Sequence, residues 1–303
     1  MSTYVVTGVT GQVAHPIAIA LAQQGHDVTG VARFKDAAAK ERLEHAGVTC
    51  VPVNLADGDF TGLPADVDHV LHFAVIKSFR DTDFDKHLRA NSEATGLLMA
   101  HCKDATSFLY CSSTAVYEPN GQHRFAEGDP LGDNHRRLFP TYSIAKIATE
   151  AVVRTMARHL DLPSTIARLN VPYGDNGGWP SFQLELMLAG NPVAVHPNRP
   201  NVYNPIHEDD LVATLPVLLD AASVPATIVN WAGDQQVSIE EWCTELARLT
   251  GVDATFVDDP NALESVACDV TRFHQLGGKT TVDWRDGMRR LVATRHPELL
   301  REP

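Results

Sequence analysis

The chain has 303 residues and a formal net charge of −13, which is enough length for a substantial core in one large or two joined domains. The negative charge argues against nucleic acid and anionic membranes as partners, and no apolar run reaches the roughly 18 residues of a membrane span. The five scattered cysteines and 14 histidines show no disulfide framework or metal-ligand spacing, so no metal is expected. A strand predicted almost at the first residue leaves no signal peptide, and we expect a cytoplasmic protein.

The first predicted element is a strand followed by a glycine-rich turn. Residues 3–7 form a short β-branched run that reads as a buried strand, and residues 17–22 have helical character. Between them, Gly8 permits a tight turn and Gly11 allows the backbone to approach a pyrophosphate at the start of the helix. Ala14 occupies the third glycine position, where a small side chain is needed for packing. Strand, glycine turn and helix together predict a dinucleotide-binding site.

The end of the second predicted strand, residues 26–33, selects the dinucleotide. A carboxylate there would bind the ribose 2′-hydroxyl of NAD, but this chain has Ala32 followed by Arg33 and, two residues later, Lys35. Two cations could hold a 2′-phosphate, so we expect NADP(H) to be preferred, with NAD(H) possible. The alternative is that both cations are ordinary surface charges and that Arg33 stacks on adenine.

Further strands are predicted at residues 48–53, 69–75, 107–111 and 164–169, with helical stretches between them. Near-continuous apolar strands alternating with helices predict an α/β fold, a Rossmann-type doubly wound parallel sheet. Prolines interrupt the pattern after about residue 175. We therefore expect a dinucleotide-binding domain over residues 1–175, with a returning segment at about 201–235, and a smaller C-terminal substrate-binding lobe in the remainder of 176–303.

A tyrosine and a lysine stand four residues apart at the start of a predicted helix. Tyr142 and Lys146 share one helix face, and an ammonium beside a phenol favours the phenolate. We therefore expect the pKa of Tyr142 to fall from about 10 toward the working pH. Tyr142 is then a candidate proton donor to a carbonyl or acceptor from an alcohol.

Taken together, these motifs resemble the extended short-chain dehydrogenase/reductase superfamily, the NAD-dependent epimerase/dehydratase group. The matching segments, in the family's order, are Thr7-Gly8-x-x-Gly11-x-x-Ala14, His72-Phe73-Ala74, Asn91, Cys111 to Tyr117, Tyr142-x-x-x-Lys146, Arg168 with Tyr173-Gly174, and His207-Glu208-Asp209-Asp210. The resemblance implies a doubly wound sheet, a bound nicotinamide dinucleotide and a C-terminal substrate lobe.

The resemblance also assigns roles to single residues. Ser113 would be the catalytic serine, with Ser112 and Thr114 as alternatives, and it would act with Tyr142 and Lys146. Lys146 would also bond the nicotinamide ribose, while Asn91 would tie backbone or a water chain near Lys146, or only cap its helix. The segment from His207 to Asp210 would fix the returning chain. The residues implied at the dinucleotide are Gly8, Thr10, Gly11, Gln12, Val13, Arg33, Lys35, Asn54, Leu55, Phe73, Ala74, Val75, Tyr142, Lys146 and Val171.

The sequence departs from the sugar-nucleotide members of the resembled family at three places. Thr114 and Ala115 replace the acidic pair that dehydratases of the family carry after the serine. Val171 stands where an asparagine is common, although Asn170 is adjacent. Tyr203 stands where an arginine often meets the diphosphate, and losing that cation removes a charge-assisted contact. Arg199 or Arg272 could substitute for it.

Three functions follow from the sequence. The leading hypothesis is an NADP(H)-dependent oxidoreductase that moves hydride between nicotinamide and a carbonyl or alcohol substrate with the set Ser113, Tyr142 and Lys146. The alternative is an NAD(P)-dependent epimerase or isomerase acting on a sugar or nucleotide sugar. A non-catalytic dinucleotide-binding sensor is the third, and retention of both Tyr142 and Lys146 counts against it. The partner is a small-molecule substrate, and the resemblance suggests a homodimer through the helices near Asn91 and at Tyr142.

Overall fold

The computed structural model describes residues 1–301. Its strands are β1 (Thr3–Thr7), β2 (Asp27–Ala32), β3 (Thr49–Pro52), β4 (His69–His72), β5 (Ser107–Ser113), β6 (Arg124–Phe125), β7 (Ser164–Leu169), β8 (Pro172–Gly174), β9 (Gly177–Gly178), β10 (Val193–Val195), β11 (Val202–Tyr203), β12 (Ile206–His207), β13 (Thr227–Trp231), β14 (Val237–Ser238), β15 (Phe256–Asp258) and β16 (Ala267–Cys268).

The helices lie between the strands of this alternating pattern. They are α1 (Ala14–Gln23), α2 (Ala37–His45), α3 (Phe84–Leu88), α4 (Ala94–His101), α5 (Tyr142–Leu160), α6 (Trp179–Leu188), α7 (Glu208–Asp220), α8 (Ile239–Thr250), α9 (Thr271–Gln275) and α10 (Trp284–Arg295). A π-helical turn at Arg89–Glu93 joins α3 to α4. No helix within residues 1–301 is long and apolar enough to cross a membrane.

Seven strands form one parallel central sheet in the order β13-β7-β5-β4-β1-β2-β3. The chain builds outward from β1 to β3 and then returns to the other side of β1 with β4, which pairs in register from Tyr4 with His69 to Thr7 with His72. The predicted Rossmann-type sheet is confirmed. In such sheets ligands bind beyond the carboxyl ends of the strands where the order reverses, here β1 and β4.

Apolar side chains at helical spacing hold the helices on the sheet. Helix α1 buries Ala14, Ile17, Ala18 and Leu21, which recur at i, i+3, i+4 and i+7. A separate core cluster joins strand residues to residues of α4 and α5 and includes Val5, Val70, Phe108, Ile166, Leu98, Met99, Val153 and Ala157. Burying a side chain of this size stabilises a fold by roughly 1.5–3 kcal/mol. The central strands are therefore covered by apolar helix faces, as the sequence predicts.

The chain divides into two compact units. The first unit comprises Met1–Ser113, Phe139–Arg168 and Leu215–Val229, and the second comprises Thr114–Leu138, Leu169–Thr214 and the segment from Asn230 onward. The first unit carries most of the central sheet. The second has its own core, in which Tyr173, Tyr203, Trp242 and Leu246 are buried among other apolar residues.

Candidate active site

The glycine turn after β1 lies against the chain that leaves β4. Gly8 has a φ of +70°, and a Cβ atom on it would lie 2.8 Å from the backbone nitrogen and Cα of Ala74. Gly11 closes the turn by donating its N–H to the carbonyl of Gly8 at 2.8 Å. Any side chain at Gly8 would displace the segment that begins at Phe73, so glycine is required there.

The start of α1 has the chemistry of an anion site. Within residues 1–301, no side chain caps this helix at Val13, and no carboxylate lies in its first turn. The first-turn N–H groups and the helix dipole therefore favour an anion at this end. Thr10 and Gly11 are exposed, and Gln12 and Val13 are half-buried. These features fit the pyrophosphate of a dinucleotide, as the sequence predicts.

The segment after β4 is held at two points. Thr7 accepts the N–H of Ala74 on its hydroxyl at 3.2 Å, and Asn91 accepts the N–H of Ile76 at 2.7 Å and donates to the carbonyl of Ile76 at 3.1 Å. Asn91 lies within the π-helical turn, so its side chain ties backbone rather than capping the helix. The structure thus confirms the backbone role among the alternatives for Asn91 and fixes the place of Phe73, Ala74 and Val75.

Behind this segment lies a chain of buried hydroxyl and imidazole groups. His72 shares hydrogen bonds with the hydroxyls of Thr7 at 2.7 Å and Thr95 at 2.8 Å, and Thr95 donates to the carbonyl of Asn91 at 2.5 Å. Burial lowers the pKa of His72 to about 3, and the nearby charge of Lys146 acts in the same direction. His72 is therefore neutral at ordinary pH and joins β1 and β4 to the π-helical turn.

The predicted catalytic set comes together at the end of β5 and the start of α5. Ser113 and Tyr142 are half-buried, and their side chains share a hydrogen bond. Lys146 is buried, and its Nζ donates to the carbonyl oxygen of Cys111 at 2.6 Å. The alternatives to Ser113 have other partners, since Ser112 donates to Glu150 at 2.6 Å and Thr114 bonds the carbonyl of Leu169 at 3.4 Å.

The expected effect of Lys146 on Tyr142 is wrong for the protein alone. Burial raises the pKa of Tyr142 to about 12, and the hydrogen bond from Ser113 lowers it only in part. Burial also lowers the pKa of Lys146, against the opposing influence of Cys111 and Glu150. The Nζ of Lys146 is 6.0 Å from the Tyr142 ring centroid, and removing both groups from water outweighs the attraction that favours the phenolate.

A second lysine, which the sequence did not single out, also faces Tyr142. The Nζ of Lys77 lies 5.2 Å from the ring centroid of Tyr142 and 4.6 Å from that of Phe139. Desolvation lowers the pKa of Lys77. The only signal for Lys77 in the sequence is a charged residue shortly after an apolar strand.

The other predicted dinucleotide residues lie at strand ends or in the second unit. Arg33 and Lys35 are exposed directly after β2. Asn54 is exposed after β3 and donates to Asp57 at 2.9 Å, and Leu55 begins a short 3₁₀ turn. Val171 belongs to the second unit, where its carbonyl accepts the N–H of Ile206 at 2.9 Å. Their contacts with a dinucleotide stay predictions.

The segment from His207 to Asp210 is bonded to residues 281–290 near the end of the chain. Asp210 accepts the N–H groups of Thr281 at 2.8 Å and Val282 at 3.1 Å, and Arg290 donates to Asp209 at 2.6 Å. These contacts fit the structural role predicted for this segment, which stays a prediction.

Comparison with known proteins now defines the class. The model of the NAD dependent epimerase/dehydratase family matches residues 4–230. The chain therefore belongs to the NAD dependent epimerase/dehydratase family.

One curated relative is UDP-glucuronate 4-epimerase 1 of Arabidopsis thaliana. It is 27% identical over 216 residues, which cover 65% of this chain and 49% of that protein. The chain thus spans about half the length of this relative.

Solved structures share the whole fold. UDP-glucuronic acid 4-epimerase from Bacillus cereus, solved with UDP-glucuronic acid and NAD, superimposes with a TM-score of 0.84 at 20% identity and covers 96% of this chain and 98% of its own. UDP-N-acetylglucosamine 4-epimerase from Methanobrevibacter ruminantium M1, solved with UDP-N-acetylmuramic acid, gives 0.85 at 17% identity and covers 98% and 99%. At these identities the likeness shows the fold. The predicted preference for NADP has no support from these proteins.

Proposed function

We propose that this protein is an NAD-dependent 4-epimerase acting on a nucleotide sugar. The observation that carries the proposal is the pairing of the Ser113 and Tyr142 hydroxyls beside Lys146 in a chain of the epimerase/dehydratase family. The relatives named above are 4-epimerases of UDP sugars. These relatives therefore favour an epimerase, which was the alternative hypothesis from the sequence, over an oxidoreductase.

The side chains suit proton transfer at a sugar hydroxyl. A bound nicotinamide dinucleotide supplies reversible hydride transfer at the sugar carbon. Tyr142, acting as the phenolate, accepts the proton of the 4-hydroxyl group as that group is oxidised and returns it when the ketone is reduced, and Ser113 donates a hydrogen bond to the same oxygen. Lys146 is held by the carbonyl of Cys111, with its Nζ 6.0 Å from the centroid of the Tyr142 ring. Elimination is disfavoured because Thr114 and Ala115 offer no carboxyl group after the serine.

We propose NAD as the cofactor, with residues 176–303 supplying much of the substrate site. The glycine turn and the uncapped start of α1 suit the pyrophosphate that NAD and NADP share. NAD is the dinucleotide bound in the Bacillus cereus structure. Arg33 and Lys35 remain a reason to test NADP, and the homodimer stays a prediction.

A reductase acting on a substrate without a diphosphate is the second candidate, and the second unit favours it. Tyr203 is buried and donates its hydroxyl to the carbonyl of Glu264 at 2.5 Å. Arg199 is paired with Asp258 through Nε at 3.1 Å. Two positions considered for a diphosphate contact are therefore engaged elsewhere, which leaves Arg272, an exposed residue of α9, as the remaining cation considered.

The test combines cofactor release with product analysis. Protein purified without added dinucleotide is denatured, and the released small molecules are identified by mass spectrometry. Native protein is then incubated separately with UDP-glucuronic acid, UDP-glucose and UDP-N-acetylglucosamine, with and without NAD, and the sugars are followed by proton NMR. We expect the 4-epimer of one sugar to form with no net change in NADH absorbance.

Two results would count against the epimerase. One is the absence of any epimer together with tighter binding of NADPH than of NADH. The other is stoichiometric oxidation of NADPH by a simple aldehyde or ketone. Either result would favour the reductase.

A further inference from the structure

Three side chains of α5 meet three consecutive residues at the end of β5. Tyr142, Lys146 and Glu150 follow one another at intervals of four residues and share one face of the helix. Tyr142 bonds the hydroxyl of Ser113, Lys146 bonds the carbonyl of Cys111, and Glu150 bonds the hydroxyl of Ser112. We call these three contacts the β5–α5 ladder.

Glu150 is the most firmly held member of the ladder. Arg168 donates to it twice, from Nε to Oε1 at 2.9 Å and from Nη2 to Oε2 at 2.7 Å. The side chains of Arg168 and Glu150 are only 3% and 4% exposed. A buried carboxylate is costly unless it is paired and hydrogen-bonded, and the bidentate arginine with the Ser112 hydroxyl meets both conditions. Glu150 therefore has a fixed position between α5, β5 and β7.

We propose that Glu150 is a positioning residue for the catalytic set. Ser112 lies between Cys111, whose carbonyl holds Lys146, and Ser113, whose hydroxyl bonds Tyr142. Anchoring Ser112 to Glu150 therefore fixes both neighbouring contacts at once. The carboxylate acts through these residues and touches no reacting atom. The inference rests on the proposed function, because it concerns how the Ser113, Tyr142 and Lys146 set is held for that reaction.

Glu150 also acts on Lys146 through charge. Its carboxylate raises the pKa of the Lys146 ammonium and so opposes the lowering caused by burial. The charged and titratable groups that face Lys146 are Tyr110 and Cys111 on β5, Glu150 and Tyr142 on α5, His72 on β4 and Lys77 after β4. Among them, the negative charge is that of the Glu150 carboxylate, which is ion-paired with Arg168, since burial raises the pKa of the Tyr110 phenol well above its ordinary value and that of the Cys111 thiol to about 11.

The experiment compares variants of the ladder with a buried control. Ser112→Ala removes one ladder contact and leaves the ion pair, Ser112→Thr restores a hydroxyl, and Glu150→Gln removes the charge. Thr165→Val is the control, because Thr165 is buried in β7 and donates to the carbonyl of Leu218 at 2.7 Å, outside the ladder. Thermal unfolding shows which variants fold. If Glu150→Gln does not fold, the kcat of Ser112→Ala still tests the proposal.

We expect Ser112→Ala to lower kcat by about 10- to 100-fold with KM changed by no more than about twofold, because the loss is one of alignment. Ser112→Thr should recover most of kcat, and Thr165→Val should keep it. A second readout needs no activity: in dinucleotide-free protein labelled with ¹³C-lysine, the ε-carbon signal of Lys146, identified by its loss in Lys146→Arg, should titrate at lower pH in Glu150→Gln than in wild type.

The proposal is overturned if Ser112→Ala keeps the wild-type kcat, or if Lys146 titrates alike in wild type, Glu150→Gln and Thr165→Val. Glu150 would then support the fold alone. Failure of the proposed function is a separate result. A wild-type protein that epimerises no sugar nucleotide refutes that function, whereas the lysine titration still tests the effect of Glu150 on Lys146.

Discussion

Tyr142 in the first unit and Tyr203 in the second carry phenols whose pKa burial raises, yet their hydroxyls have different partners. Tyr142 is half-buried and bonds the hydroxyl of Ser113, which can both donate and accept. Tyr203 is buried and donates to the backbone carbonyl of Glu264. The hydroxyl of Tyr142 can therefore exchange a proton with a ligand, whereas the hydroxyl of Tyr203 is used in a structural hydrogen bond.

The same difference separates other polar residues of the two units. Arg33 in the first unit is exposed after β2, whereas Arg199 in the second is paired with Asp258 and lies 5.9 Å from the ring of Phe256. The comparison teaches that residue type alone does not identify a functional group in this chain. Its partners decide whether it is available to a ligand.

The largest expected effect separates the two tyrosines. Tyr142→Phe should lower turnover by about 10²- to 10⁴-fold, the usual contribution of a general acid–base group, while dinucleotide affinity stays nearly unchanged. Tyr203→Phe should lose about 1 kcal/mol of stability, as for one hydrogen bond, and keep turnover per folded molecule. Steady-state kinetics, dinucleotide titration and urea unfolding measure the three quantities. Survival of turnover in Tyr142→Phe would refute the proton-transfer assignment.

The next effect concerns buried histidines, one in each unit. Below its ordinary pKa of 6.5, unfolded His72 takes up a proton, whereas folded His72 does so only near the pKa of about 3. The unfolded state therefore binds more protons, and stability falls as pH drops from 6.5 toward 3. His72 should account for about 2 kcal/mol of the stability lost between pH 7 and pH 5.

Urea unfolding of wild type and His72→Gln at pH 7 and pH 5 checks this value. The variant should lose less stability on acidification than wild type. His207→Gln is the matched variant in the second unit. Burial also lowers the pKa of His207, but by less than that of His72, so the dependence of stability on pH should change less in this variant. Equal pH slopes in wild type and His72→Gln would show that His72 takes up its proton alike in both states.

The smallest expected effect is on dinucleotide binding by variants of Arg33 and Arg199. Arg33→Ala should weaken NADPH binding by about tenfold, the value of one charge-assisted contact to the 2′-phosphate, and NADH binding by no more than about twofold. Arg199→Ala should alter neither, since its guanidinium already serves Asp258. Fluorescence titration with both dinucleotides measures this. Equal losses for NADPH and NADH in Arg33→Ala would remove any role in choosing the dinucleotide.

Local patterns made the fold of the first unit predictable. The β-branched run before Gly8 and the spacing of Ile17, Ala18 and Leu21 depend on residues near in sequence, and so does the spacing of Tyr142 and Lys146. These features therefore appear in the structure where the sequence places them. The start of α5 at Tyr142 is a direct example.

Two kinds of feature could not be predicted from local patterns: the direction of pKa shifts and the contacts between residues far apart in the sequence. The direction of the Tyr142 pKa depends on how much water burial removes, which spacing does not reveal. Glu150 and Arg168 were missed as a pair, although Arg168 stands within the apolar strand β7, where a charge requires a buried partner. The π-helical turn around Asn91 left no recognisable pattern, because it differs from an α-helix by one residue in one turn.

The β5–α5 ladder has a consequence for how this chain can vary. Its members come from residues 111–113 and 142–150, while Thr114–Leu138 between them belongs to the second unit. Inserting one residue within either ladder segment would rotate or shift a partner out of reach, about 100° around the helix or to the other face of the strand. Additions within Thr114–Leu138 leave the ladder in register. The ladder therefore restricts the length of the two short segments 111–113 and 142–150 but places no such restriction on Thr114–Leu138.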